Sequence, residues 1–362
     1  MRLVTRLQPL IATPTRLFGV LALWFMALAC WRPLAVPDEG RYTDVSRWML
    51  RSGDWVIPRL DGLPFLHKPP LYYWIEASVM GLFGPGLLTA RAASLLGLWC
   101  TCLVAYVLVR RLSDERSARW GVIALATSPL AVLGGQYANL DMLVAGCISL
   151  TLMFAVLACH AESPRQRRML WWATYAMAGF GVLAKGLIGL VLPGAVFLLW
   201  ALLDRQPKRI LQGLSVVGLL LFAAVVTPWF WVAEQHISGL AHFFIVVQHF
   251  QRYTQTGFNN AWGPWYYPAV VAVGMLPWTL VALRNWRAPA DTLAIPTQRS
   301  LQRLGLVWLA VIMLFFSIPP SKLVGYILPL LPALAMLLGP RLAGWRHRHA
   351  VALLGAALCV AL

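Results

Sequence analysis

Apolar runs of about twenty residues recur along the whole 362-residue chain, the length a helix needs to cross the hydrocarbon core of a bilayer. Stretches such as 186–203 and 213–231 are apolar all round and leave no charged face for water, which excludes a soluble helical bundle. With 60% hydrophobic and only 12% charged residues, the chain reads as an all-α polytopic membrane protein. The formal net charge of +17 invites a nucleic-acid reading, but Lys and Arg cluster in short connections between apolar runs, as positive-inside bias requires. No nucleic-acid motif accompanies them, and anionic lipid head groups account for such clusters equally well. The six cysteines sit in or beside apolar runs, without metal-ligand spacing or loop positions suited to disulfides, and read as small core residues.

The basic loops set the expected topology. Arg2, Arg6 and Arg16, then Arg110 and Arg111, then Arg165 to Arg168, then Arg205 to Arg209, and later Arg284 to Arg303 and Arg341 to Arg348, are all assigned to the cytoplasm. Parity then places Asn139 and Asp141, Lys185, the loop 233–264 and the Pro319–Lys322 turn on the opposite side. Counting 71–88 as a crossing would put Arg110 on the wrong side, so this glycine-interrupted stretch is expected to lie at the interface, with the crossing made by 89–109. About eleven spans result. Residues 42–52 carry Val45, Trp48 and Met49 on one face and read as a short amphipathic helix on the membrane. The expected organisation is one domain over 1–362, with a first outer loop at 37–88, a later one at 233–264, an uncleaved first helix and no soluble C-terminal domain.

Most of the unusual polar chemistry lies in one island, Pro37 to Trp74, which begins where one apolar run ends and closes where another begins. Asp38, Glu39 and Arg41 stand at its start and His67 and Lys68 near its end, so both groups are expected at a membrane surface. The two carboxylates also suit the cap of the 42–52 helix. Against that plainer role stands the cost of ionisable groups at membrane-edge depth, which marks them as functional. Pro69 and Pro70 hold the backbone at Lys68 extended, so a rigid cation faces the head-group level, where it suits phosphate. His67 reads as a metal ligand, a proton carrier or a hydrogen-bonded spacer.

Asp141 opens an apolar run and suits both an N-cap and a pocket carboxylate, while Lys185, followed by Gly186, is a second phosphate contact. His249 and Arg252 are three residues apart in the later outer loop, and Lys322 and Tyr326 are four apart. No glycine-rich phosphate loop, nucleotide fold, zinc-protease helix or serine triad is present. Far from the cytoplasm, an activated group is more readily supplied on a lipid than on a nucleotide. A transporter or flippase of a lipid-linked sugar is the competing class, but it predicts polar residues spread through the midplane rather than gathered at one face.

The ordered set DEGRY, SGDWVIPRLDGLPFLHKPPLYYW, ANLDM, AKG, HFQRY and FFSIPPSKLVGYILPLLP resembles bacterial glycosyltransferases of the dolichyl-phosphate-mannose protein mannosyltransferase superfamily. Its nearest likeness is to the 4-amino-4-deoxy-L-arabinose lipid A transferases. The resemblance implies a GT-C fold and transfer of a sugar from a polyprenyl phosphate, usually undecaprenyl phosphate, to lipid A, another envelope glycolipid or protein at the periplasmic face of the inner membrane. It implies Asp38 as the first-loop catalytic aspartate, Asp141 as the second-loop acidic residue, Lys68 as the donor-phosphate lysine and Lys322 with Tyr326 as the late SK-x-x-x-Y element. Glu39 as a further catalytic residue, and Lys185 and Arg252 as further donor-phosphate contacts, are expected from their own positions. His249 matches a family histidine that binds metal or phosphate; from their own positions Arg41, Tyr42 and His67 are expected to line the substrate pocket, and His67 to join His249 at any divalent metal site. His67 stands where arabinose transferases usually carry an acidic residue, which weakens the case for a carboxylate-held metal. Those relatives also carry further helices and a C-terminal periplasmic domain.

Overall fold

The computed structural model describes residues 11–244, 261–284 and 295–362. Among them the chain is almost entirely helical. The helices are α1 (Pro14–Ala29), α2 (Asp38–Ser52), α3 (Leu71–Phe83), α4 (Ala92–Leu112), α5 (Glu115–Ala126), α6 (Pro129–Gln136), α7 (Leu140–Cys159), α8 (Pro164–Lys185) and α9 (Ile188–Leu203). They continue with α10 (Val216–His236), α11 (Tyr266–Gly274), α12 (Trp278–Arg284), α13 (Pro296–Ser317), a 3-10 stretch (Val324–Leu330), α14 (Leu331–Ala343) and α15 (Arg348–Ala361). The only sheet among the described residues is a two-stranded ribbon, β1 (Arg59–Leu60) antiparallel to β2 (Leu63–Pro64), in the polar island.

Helices α4, α7, α10 and α13, and the stretch Val324–Ala343, are long and apolar enough to cross a bilayer. The α5–α6 and α11–α12 pairs are together apolar and long enough to cross, but are bent by 63° and 102° at their breaks. Both bends fall beside a proline, Pro129 and Pro277, whose missing N–H and ring interrupt the helical ladder. Helices α1, α9 and α15 are shorter apolar helices. The protein is therefore multi-pass, as expected, although 120–137 and 265–283 are broken rather than straight.

Helix α7 lies at the centre of the bundle, with most of its residues buried. It meets α4 through two glycines. A Cβ on Gly97 would fall 2.2 Å from the Met142 carbonyl oxygen, and one on Gly146 would fall 2.9 Å from the backbone of Gly97. Small residues at such a crossing let two backbones touch, the principal means of tight helix packing where lipid removes the hydrophobic drive. The contact fixes where the first turn of α7, and with it Asp141, is held.

The polar island folds into α2, the ribbon and α3. Helix α2 begins at Asp38, earlier than its expected start at 42, and ends at Gly53, whose φ of +72° makes the left-handed turn that a side chain would resist. The Asp54 carboxylate then accepts from the amides of Val56 and Ile57 at 3.1 and 3.0 Å. Two indoles pin the turn from outside it: Trp74 Nε1 donates to the Trp55 carbonyl at 2.7 Å and Trp229 Nε1 to that of Val56 at 2.9 Å. Helix α3 spans only Leu71–Phe83, too short to cross the hydrocarbon core by itself.

Between α2 and α3 lies a buried polar knot. Glu76 is fully buried and accepts from the Tyr72 hydroxyl at 2.6 Å and the Ser46 hydroxyl at 2.7 Å. Burial, only partly opposed by these two bonds, raises its pKa to about 8, so the carboxyl is held neutral at neutral pH. A folded-state pKa above the unfolded value means stability that is complete below about pH 4.5 and is lost as pH rises towards 8. The apparent Tm of the wild type, scanned at fixed rate, is expected to fall between pH 5 and pH 8.5, and Glu76→Gln should flatten that dependence. Parallel profiles for the two proteins would remove Glu76 as the cause.

Candidate active site

Three carboxylates anchor the end of the fold where α2 and α7 begin. The chain enters α2 through Pro37, which makes no side-chain cap, and Asp38 instead ion-pairs with Arg41 one turn on. Asp38 is 43% exposed and thus open to an incoming group. Tyr137 faces it, its hydroxyl pKa raised by burial and by the negative charges of Asp38 and Glu39.

Glu39 is different in kind. It is wholly buried, ion-paired with Arg32 and with Arg91, whose Nε lies 3.1 Å from Oε1. It also accepts from the amides of Ala35 at 2.7 Å and Ala138 at 2.8 Å. Burial opposes its charge, but the two guanidiniums and two amides prevail and hold its pKa below the usual glutamate value. Arg91, also fully buried, donates further to the carbonyls of Ala29, Arg32 and Pro33. Every acceptor site on Glu39 is thus occupied by the protein, which corrects its expected catalytic role. It is a tie between the first outer loop and the 137–139 turn, because a carboxylate enclosed this way offers no free lone pair.

The Ala138 bond to Glu39 links Asp38 to the start of α7, three residues before Asp141. Asn139, not Asp141, caps α7, accepting from the Asp141 amide at 2.8 Å. The Asp141 carboxylate is therefore free of capping and ion-pairs with Lys185, both side chains about one-tenth exposed. Lys185 ends α8, and Gly186 beyond it adopts φ of +106°, turning the backbone away so that the ammonium projects to Asp141. That ammonium also lies 4.4 Å from the ring centre of Tyr326, where the π-face adds a second attraction. Gly325 completes the junction. A Cβ there would stand 2.1 Å from Asp141 Oδ2. Three segments, 139–141, 185–186 and 325–326, thus meet although up to 187 positions separate them in sequence.

The other expected contacts are placed as follows. Tyr42 packs edge-on against Phe65 at 6.5 Å and Tyr72 at 6.1 Å, bringing the stretch that carries His67 and Lys68 against α2. His67 is exposed and its ring lies 5.1 Å from that of Phe65 and 6.2 Å from that of Phe243, in the later outer loop. Lys68 is half-buried between His67 and the buried Pro69 and Pro70. Lys322 departs from its expected role as a phosphate contact. It is 2% exposed, and its ammonium donates to the carbonyls of Trp262 at 2.9 Å and Pro319 at 2.5 Å. Burial lowers its pKa, and two of its three N–H donors are already taken by those carbonyls. Here the lysine clasps the turn before the 3-10 stretch.

His249 and Arg252 lie outside the described residues, and with them the expected metal pair of His249 and His67. Among the described residues no group of three His, Cys, Asp or Glu side chains is assembled to hold a metal ion. The residues that sequence reasoning missed are Arg91, Arg32, Tyr137 and Gly325. Arg91 did leave a signal, as a lone charge in the apolar stretch LTARAASLL.

Comparison with known proteins adds to this geometry. The family model described as dolichyl-phosphate-mannose-protein mannosyltransferase matches residues 67–231. The chain is 32% identical, over 85% of its length and 54% of the relative's, to undecaprenyl phosphate-alpha-4-amino-4-deoxy-L-arabinose arabinosyl transferase 1 of Sodalis glossinidius. It is 33% identical, over 84% of its length and 55% of the relative's, to the corresponding transferase of Pseudomonas aeruginosa. The chain thus spans about half the length of these curated relatives. A crystal structure of ArnT from Cupriavidus metallidurans bound to undecaprenyl phosphate superposes with a TM-score of 0.83 at 32% identity, covering 94% of this chain and 62% of that one. The archaeal oligosaccharyltransferase AglB from Archaeoglobus fulgidus, at 15% identity and a TM-score of 0.54, shares the fold over 95% of this chain and 55% of its own.

Proposed function

We propose, from the premise that the chain belongs to the dolichyl-phosphate-mannose protein mannosyltransferase superfamily of GT-C membrane proteins, that it transfers a sugar from a polyprenyl phosphate to an envelope acceptor. The relatives' names favour undecaprenyl phosphate as carrier, the pentose 4-amino-4-deoxy-L-arabinose as sugar and lipid A as acceptor. By the same reading the protein lies in the bacterial inner membrane with Asp38, Lys68 and Asp141 facing the periplasm. Eleven crossings, the number expected from charge parity, would need each bent pair to be one span and α1, α8, α9 and α15 to cross as well.

The single observation that carries this reading is the meeting of Asp141, Lys185 and Tyr326 at the end of the fold where Asp38 stands, tied together by the Glu39–Ala138 bond. In the proposed reaction the bond between the anomeric carbon and the donor phosphate breaks as the acceptor oxygen attacks that carbon. Negative charge grows on the departing phosphate, and cations already in place stabilise it without reorganising. Lys68 is assigned to that phosphate, with Lys185, held by Asp141 and Tyr326, as a second cation; Arg252, outside the described residues, is a further candidate. Asp38 orients the acceptor and takes its proton if the acceptor is a hydroxyl. A lipid A phosphate is already ionised and needs only orientation. Arg41 and Tyr42 line the acceptor side.

Lys68→Ala is expected to raise KM for the lipid-linked donor at least tenfold with the protein still inserted in the membrane, and Asp38→Asn to abolish turnover. Unchanged donor affinity in the first, or normal turnover in the second, removes that residue from the scheme. Mass spectrometry of lipid A, surface glycans and envelope proteins from a deletion strain names the sugar and acceptor by the mass that disappears.

A further inference from the structure

The end of the fold remote from Asp38 carries cations that the proposed reaction leaves unused. There α1, α5 and α15 enclose an apolar groove of about 280 Å³, walled by Leu17, Leu21, Trp24, Ile123, Leu353 and Ala356. Helix α1 fixes its position in the molecule: the groove takes the first half of that helix, whereas Ala29, at the other end, receives the Arg91 hydrogen bond of the candidate active site.

The mouth of the groove is strongly positive. Trp120, one of its lining residues, carries the Arg348 guanidinium 5.1 Å above its ring and the His349 ring edge-on at 4.7 Å. Arg116, exposed one turn before Trp120, adds its charge to the same patch and acts on both Arg348 and His349. Glu115, the adjacent carboxylate, is committed to Arg110 and Arg119. Among the described residues neither Arg116 nor Arg348 has an ion pair, and Arg348 Nε is buried without a hydrogen-bond partner. Helix α15 starts here with His347 at its N-cap, which contributes no side-chain acceptor, so its positive end is added to the same mouth.

Arg348 Nη1 donates to the Ala343 and Trp345 carbonyls, but no carboxylate balances the cluster among the described residues. Cations without acidic partners directly over an apolar slot, at the level where spanning helices begin, match a molecule with an anionic head and a hydrocarbon tail. We propose that the groove holds an acyl chain of an anionic glycerophospholipid whose phosphate rests on Arg116, Arg348 and His349. This site is separate from the reaction assigned above and stands or falls without it.

The test uses the full-length protein in mild detergent, with phosphatidylglycerol and phosphatidylcholine of identical acyl chains, and inorganic phosphate as a tail-free control. Native mass spectrometry is expected to show phosphatidylglycerol retained on the wild type at least tenfold more than phosphatidylcholine. The Arg116→Gln/Arg348→Gln variant should lose that preference, and Ala356→Trp, which fills the slot, should lose retention while eluting normally on size exclusion. Phosphatidylglycerol, but not inorganic phosphate, should raise the Tm of the wild type. Equal retention of the two lipids, full retention by the arginine variant, or the same Tm rise with inorganic phosphate would overturn the site. So would Ala356→Trp that lowers the Tm of delipidated protein yet keeps its phosphatidylglycerol, since the groove would then belong to another part of the chain.

Discussion

Arg91→Ala is expected to destabilise the protein by about 3–5 kcal/mol, the cost of leaving a buried carboxylate without its partner. The size of the effect follows from the geometry. Arg91 is completely enclosed, and it satisfies Glu39 together with the carbonyls of Ala29, Arg32 and Pro33. Removing it leaves Glu39 with Arg32, a partly exposed side chain, as its remaining ion-pair partner, and leaves buried backbone acceptors unsatisfied at once. Arg91→Lys should recover little, because an ammonium cannot reproduce a planar fork aimed at several acceptors. Pairing Arg91→Met with Glu39→Leu removes the buried ion pair and should fall between the wild type and Arg91→Ala, since the three carbonyls, the Ala35 and Ala138 amides and Arg32 lose their partners. Thermal scans of protein in lipid nanodiscs, with membrane yield beside them, measure this series. A normal Tm for Arg91→Ala would show that the tie is not a structural keystone.

The largest effect on activity is expected at the Asp141–Lys185 pair. Asp141→Asn and Lys185→Gln should each lower kcat/KM for the lipid-linked donor by about 100-fold or more, the range seen when one preorganised charge-stabilising group is removed. The informative variant is the double. Because Asp141 holds the Lys185 ammonium in place, removing both should cost no more than the worse single change, as residues that act as a unit are strongly non-additive. A double variant whose loss is the product of the two singles would show that they act separately. The pair is only about one-tenth exposed, so its coupling should also persist at high salt, unlike that of a surface ion pair.

Much of the architecture was legible in the residue order. The apolar runs announced the spans, and the short amphipathic segment at 42–52 lies inside α2. Asp141 and Lys185 were both singled out, but as a pocket carboxylate and a phosphate contact. That they pair with each other was invisible, since 44 positions separate them and each read well alone. Glu39 was misread for the same reason. Beside Asp38 in sequence it carries the same functional group, yet successive residues at a helix start point in different directions, so one carboxylate reaches solvent and the other the core. Lys322 was misread because nothing local records that the Trp262 and Pro319 carbonyls converge on its ammonium.

Hydropathy period and length, which depend on near neighbours, determined that this chain spans a membrane as helices and where most of them begin. The roles of individual charged side chains were decided only by the tertiary structure, because they depend on long-range partners. Glycine crossings such as Gly97 on Gly146 fix helix offsets to within an ångström or so, and that offset sets which cation each carboxylate meets. In a low-dielectric interior the identity of that partner outweighs anything intrinsic to the residue.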